Sequence, residues 1–137
     1  MSTEQNLKTI QDVYAAFTRG DVPFILESLS DELKDFSVIS DGPTKVPWHQ
    51  HGRGKASAVT FFETLGKTAD FQVFEPRDYA ASGDHVYVTL HMEAIVRATG
   101  KPLVLDEVMH HWTFDRDGKI VRWRATEDTA QSARAFS

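Results

Sequence analysis

His110 stands in the run Val108-Met109-His110-His111-Trp112, among apolar and aromatic side chains. A histidine in apolar surroundings can donate a hydrogen bond to a substrate carbonyl or move a proton. Its structural alternative is a core histidine satisfied by a backbone carbonyl or a neighbouring carboxylate. His49-Gln50-His51 is a second candidate. His-x-His can give a metal two ligands if a third group converges. No adjacent acidic residue completes such a pattern, and the chain holds neither cysteine nor His-Glu-x-x-His, so no metal is expected. One of these histidines reaching over a pocket mouth competes with plain surface exposure. His91 with Glu93, and Glu107 with His111, could form acid–base pairs. Their strand positions favour surface ion pairs or an interface. Trp48, Trp112 and Trp123 are cavity walls or core, and the Tyr14 hydroxyl either enters a pocket or bonds a loop backbone.

Other chemistries are missing from the sequence. There is no phosphate-cradling Gly-rich loop, no Gly-x-Ser-x-Gly elbow and no dinucleotide fingerprint, so no cofactor is expected. Asp115-Arg116-Asp117-Gly118 is hairpin-like and too short for a calcium loop. Zero cysteine in 137 residues removes disulfides and a thiolate nucleophile. The 15 Lys+Arg against 20 Asp+Glu leave a net charge of −5, which argues against a nucleic-acid partner. No apolar run approaches the roughly 20 residues that span a bilayer. Met1 to Asn6 show no basic start leading into an apolar stretch, so no membrane association is expected and a cytoplasmic location is.

The elements that must position these residues follow from periodicity. Ser2 or Thr3 can cap a first helix carrying the stripe Leu7, Ile10, Val13, Tyr14 and Phe17. Gly20 stops it, and Asp21 caps a second helix with Pro23 in its first turn. Phe36 to Ser40 alternates as a strand, and Asp41-Gly42-Pro43 breaks it. The segment to Gly54 reads as a long loop of the binding or lid type. Ala58, Phe61, Phe62 and Leu65 mark a third helix ending near Gly66. Phe71 to Phe74 is a short strand, with Pro76 at an edge or bend. His85–Ala98, Leu103–Phe114 and Lys119–Asp128 are strands joined by turns at Thr99-Gly100 and 115–118. Thr129–Phe136 is a short helix or a tail. The order predicts an α+β domain.

Parity sorts the strand residues, because side chains alternate between faces. Val86, Val88, Leu90, Met92, Ala94 and Val96 face inward. A glycine-bulge turn at Gly100 then pairs even with even, placing Asp106, Val108, His110, Trp112 and Phe114 inside. The next turn reverses parity and places Val121, Trp123, Ala125 and Glu127 inside. His91, Glu93, Glu107, His111, Arg122 and Arg124 fall outside, where they can pair across strands or build a polar dimer interface.

Three stretches also carry a family resemblance: Tyr14–Asp21, Val46-Pro47-Trp48 with Arg53-Gly54, and Asp117–Arg124 followed by Glu127–Ala130. On these the chain resembles SnoaL-like members of the nuclear transport factor 2-like superfamily, close to ketosteroid isomerase-related proteins. The resemblance implies one SnoaL-like domain over residues 1–137. It implies a cystatin-like cone, a curved antiparallel sheet wrapped around helices, and a homodimer through the outer sheet face. Ketosteroid isomerases use a carboxylate base with a tyrosine and a protonated aspartic acid as oxyanion hole. Here the base position falls near Ser37, the tyrosine near Val13 (beside Tyr14), and the aspartic acid at His110, so steroid isomerisation is not expected. Limonene epoxide hydrolases use an arginine and two aspartates, and Ala125 stands near one of those aspartates. Together these readings predict a pocket for a small hydrophobic organic molecule. His110, His49 and His51 are its candidate catalytic groups, and Tyr14, Trp48, Trp112, Trp123 and Glu127 its ligand contacts. A non-catalytic binding or interaction module is the alternative.

Overall fold

The computed structural model describes residues 2–41 and 44–137. Gly42 and Pro43, part of the strand-breaking signal, lie outside the described residues. Helix α1 covers Thr3–Thr18 and begins in a capping box. The Ser2 hydroxyl accepts from the Gln5 amide, and the Gln5 side chain returns to the Ser2 amide. Its stripe buries Ile10, Val13, Tyr14 and Ala16. Gly20 ends the turn at φ 75°, a left-handed conformation that glycine takes without strain. Asp21 caps α2 (Val22–Ser28) by accepting from the Phe24 amide. Helix α3 covers Lys55–Thr68, and the C-terminal segment forms α4 (Thr129–Ala135), capped by Asp128.

The strands are β1 (Asp35–Val38), β2 (Gln50–Gly52), β3 (Ala69–Ser82), β4 (His85–Val96), β5 (Pro102–Phe114) and β6 (Ile120–Thr126). They form one curved, unclosed sheet in the order β2-β1-β6-β5-β4-β3. The α+β architecture is that expected, with three additions. The long loop contains β2, paired to β1. β1 runs parallel to β6, so the sheet is not wholly antiparallel. β3 is far longer than the Phe71–Phe74 run. Its edge position tolerates Pro76, and register shifts after Phe71 and after Pro76 let it bend. Helix α1 packs on β3 and β4 and thereby closes the inner face.

Side chains alternate on β4 as expected, whereas on β5 the alternation shifts at a bulge. Near the turn the register is Ala94 with Leu103 and Met92 with Leu105, so even meets odd there. An irregularity between Leu90 and Met92 then sets Asp106 and Glu107 opposite His91 and restores even-with-even at Val88 and His110. Asp106 is therefore exposed, not inward as expected, and Leu103 and Leu105 are buried in its stead. His110 is inward because of this bulge, not because of the turn. A second irregularity, between Thr113 and Phe114, puts Ile120 into the core where Val121 was expected. No helix of the described residues is long and apolar enough to cross a membrane.

Candidate functional site

Between α1, α3 and the inner sheet face lies a cavity of about 70 Å³, room for about five waters or a single ring. Aromatic side chains make half of its wall, including Phe36, Phe61, Phe71 and Phe74. Tyr14, Trp48, His110, Trp112, Trp123 and Glu127 all reach it.

Tyr14 projects from α1 to the two central strands. The Trp112 Nε1–H donates to Tyr14 Oη at 3.0 Å, and Tyr14 Oη lies 2.8 Å from His110 Nδ1. Indole nitrogen can only donate, so the phenol accepts from Trp112; Nδ1 is the one acceptor for the phenol's own proton among the described residues, so that proton goes to Nδ1. That assigns the His110 tautomer: Nε2 carries the hydrogen. Among the described residues Nε2 has no hydrogen-bond partner, and the atom is not sealed from solvent-sized space. Burial keeps the imidazole neutral, with its pKa pushed down from 6.5 to about 3. Burial likewise raises the Tyr14 phenol well above 10.0, against a lowering by the Trp112 hydrogen bond. The site therefore offers a neutral N–H donor in apolar surroundings. Trp123 Nε1 also lacks a partner, but it is fully buried among the rings.

The other polar group is Glu127, just past β6 on the inward side. It is held by three donors. Trp48 Nε1–H gives to Oε1 at 3.2 Å, His49 Nε2 lies 3.1 Å from Oε2, and the Ser132 hydroxyl donates to Oε2. Among the described residues Glu127 is the one carboxylate in the cavity wall. The His49 side chain is fully buried, bonded to Glu127 on one edge and to Thr44 Oγ1 at 2.9 Å on the other. It supports Glu127 and does not line the cavity. His51 is exposed on β2 and is not brought to the site.

Ser37, at the ketosteroid isomerase base position, is buried on a hydrogen bond to Asp35 and faces away from the cavity. Ala125, directly across from His110 on β6, lines the cavity as a small apolar floor. The sequence reading missed Ser132, since nothing local marks a hydroxyl in a short terminal helix as a carboxylate's partner. Leu105 was also missed as a wall, because the bulge that turns it in has no sequence signature.

Residues 10–123 match the family described as SnoaL-like domain. This chain belongs to the SnoaL-like domain family. Solved structures share its fold. An NTF2-like protein from Burkholderia thailandensis is 25% identical, with TM-score 0.85 over 100% of this chain and 99% of that one. TerC, co-crystallised with polyporic acid, is 24% identical with TM-score 0.80 over 96% and 98%. An LEH-like epoxide hydrolase from M. tuberculosis is 16% identical with TM-score 0.73 over 98% and 90%. No curated protein sequence matches the chain. Within this SnoaL-like domain the matched region contains Tyr14, His110, Trp112 and Trp123, while Glu127 lies beyond its end.

Proposed function

We propose that this SnoaL-like domain binds a small, mostly apolar organic molecule and performs cofactor-independent acid–base chemistry on a carbonyl group of it. The observation that carries the reading is the buried Trp112–Tyr14–His110 hydrogen-bond chain in an aromatic cavity, which leaves His110 Nε2–H as a fixed, free donor. A neutral imidazole polarises a carbonyl without giving up its proton, as in other enzymes where a histidine is held uncharged. In a dry cavity such a donor acts with little competition from water. Glu127 is the nearest carboxylate for taking up a proton, and Trp48, Trp112 and Trp123 contribute the apolar walls. Relatives of this fold described as an isomerase, a polyketide cyclase and an epoxide hydrolase are compatible with that reaction class.

One observation favours a second reading. His110 is held neutral to about pH 3, and the Glu127 carboxylate is already engaged by three side chains. A non-catalytic binding module would carry the same features. Mass spectrometry of the native protein, followed by release of the co-purified ligand, identifies the molecule. Turnover of that molecule with loss in His110→Ala supports the enzyme. Full turnover in His110→Ala removes the mechanism, and tight binding without turnover selects the module.

A further inference from the structure

Counting hydrogen-bond capacity at the two polar groups says more about the ligand than the cavity's shape does. Wherever a protein buries a donor or acceptor without a partner, a ligand that supplies the partner gains affinity, because the group was already stripped of water.

His110 has two ring nitrogens. Nδ1 is consumed by Tyr14, so one donor remains at Nε2. A carboxylate has about four lone-pair sites. At Glu127, Oε2 takes the His49 and Ser132 donors, and Oε1 takes Trp48. Trp48 also reaches Oε2 at a looser 3.4 Å, so Oε1 keeps one acceptor site open. The cavity thus presents one donor and one acceptor. Trp123 Nε1–H adds nothing for a ligand, because that atom is sealed among rings.

Their spacing follows from the sheet. His110 lies across from Ala125, and Glu127 is two residues further along the same inward row. A diagonal pair of this kind on neighbouring strands is about 7–8 Å apart. Ala125 supplies only a methyl group between them, and aromatic side chains line the cavity around it.

Resting on the binding reading above, we infer that the ligand is a flat, one-ring-sized molecule with polar groups at opposite ends. An acceptor oxygen faces His110 Nε2–H, and a hydroxyl donates to Glu127 Oε1. A hydroxyaryl ketone is the chemical class that fits. A hydrocarbon of the same shape leaves both protein groups unpaired, and a molecule with two acceptors turns one of them against the carboxylate.

The test is a square of four probes of one shape: para-hydroxyacetophenone, acetophenone, para-ethylphenol and ethylbenzene. Each is titrated calorimetrically into the intact protein, into His110→Phe and into Glu127→Gln. The expected result is an affinity order in which the carbonyl and the hydroxyl each gain about tenfold over hydrogen, the scale of one hydrogen bond to a desolvated group. His110→Phe erases the carbonyl gain and keeps the hydroxyl gain. Glu127→Gln erases the hydroxyl gain and keeps the carbonyl gain. Unchanged far-ultraviolet circular dichroism and cooperative thermal melting show that the variants are folded. Four probes of equal affinity for the intact protein overturn this inference and leave apolar binding standing. Binding of none of the four overturns both.

Discussion

Tyr14 Oη and His110 Nδ1 are 2.8 Å apart although 96 residues separate them in the chain. The contact joins the first helix to the middle of the sheet, and it sets which nitrogen of His110 faces the cavity. Because Trp112 gives its N–H to the same oxygen, the phenol has one proton to place and one acceptor within reach. Stability and site chemistry therefore depend on the same hydroxyl.

Tyr14→Phe tests that dependence. The change strands the Trp112 N–H without an acceptor and leaves His110 Nδ1 without its donor. Each buried unpaired group costs about 1–3 kcal/mol, so urea unfolding should show a loss of about 2 kcal/mol or more. In the same variant Nδ1 and Nε2 compete for the imidazole hydrogen, so proton–nitrogen NMR should show a tautomer mixture in place of one form. An unfolding midpoint equal to the parent's, with a single Nε2–H tautomer, would refute the relay.

The buried neutral imidazole makes stability depend on acid. In the unfolded chain His110 titrates near 6.5, whereas in the fold its pKa is about 3. Between those values the unfolded chain binds the extra proton. The contribution is therefore complete above about pH 6.5 and is lost as pH falls towards 3. Within that window it steepens the stability curve by about 1.4 kcal/mol per pH unit. Chemical denaturation of the parent and of His110→Gln between about pH 4 and pH 6 should give curves that diverge by that slope. Parallel curves mean that His110 is accessible to protons in the fold.

Much of the architecture was legible because it depends on local rules. Helix caps at Ser2 and Asp21, the stop at Gly20 and the alternation of Val86 to Val96 are written within a few residues of one another. Parity placed His110 and Trp112 on the inner face, but through a turn register that the bulge overrides. What escaped were long-range effects. The bulge at Asp106 depends on how β5 meets β4, and the parallel pairing of β1 with β6 joins residues some 87 positions apart, as in Asp35 with Arg122. The role of His49 was misplaced for the same reason. Its partner Glu127 is 78 residues away, and no spacing within His49-Gln50-His51 distinguishes a buried support from its exposed neighbour.

Gly52 illustrates a residue whose reason is steric. It stands across from Phe36, and a β-carbon there would lie 2.6 Å from the Phe36 carbonyl and 2.7 Å from Gln50 Nε2 and from Ser57 Cβ. Gln50 Nε2 donates to that same carbonyl at 2.8 Å. Gly52→Ala should therefore push β2 off β1 and lower stability by about 1–3 kcal/mol, as overpacking does. Because Phe36 is a cavity wall, affinity for an apolar probe should fall as well. Thermal melting and probe titration measure the two effects. A variant as stable as the parent would show that the approach relaxes freely.

The bulge that turns His110 inward has its own fastening on the outer face. His91 Nε2 lies 2.7 Å from Glu93, its Nδ1 lies 2.9 Å from Asp106, and Arg77 bridges Asp106 to Glu75. The Glu93 hydrogen bond, helped by that to Asp106, raises the His91 pKa above 6.5, while partial desolvation and the Arg77 charge oppose it. A raised histidine pKa stabilises the fold fully below about 6.5, and the contribution is lost as pH climbs through the raised value. The clamp holds the bulged residues Asp106 and Glu107, whose inward neighbours Leu105 and Val108 wall the cavity together with Met92. Hydrogen exchange at the Asp106 and Glu107 amides, corrected for the intrinsic rate, should therefore accelerate as pH rises through the His91 titration seen by NMR. In His91→Ala exchange should be fast at every pH, and apolar-probe affinity should lose its dependence on pH in that range. Protection of both amides that is equal in the parent and in His91→Ala would show that strand pairing alone maintains the bulge.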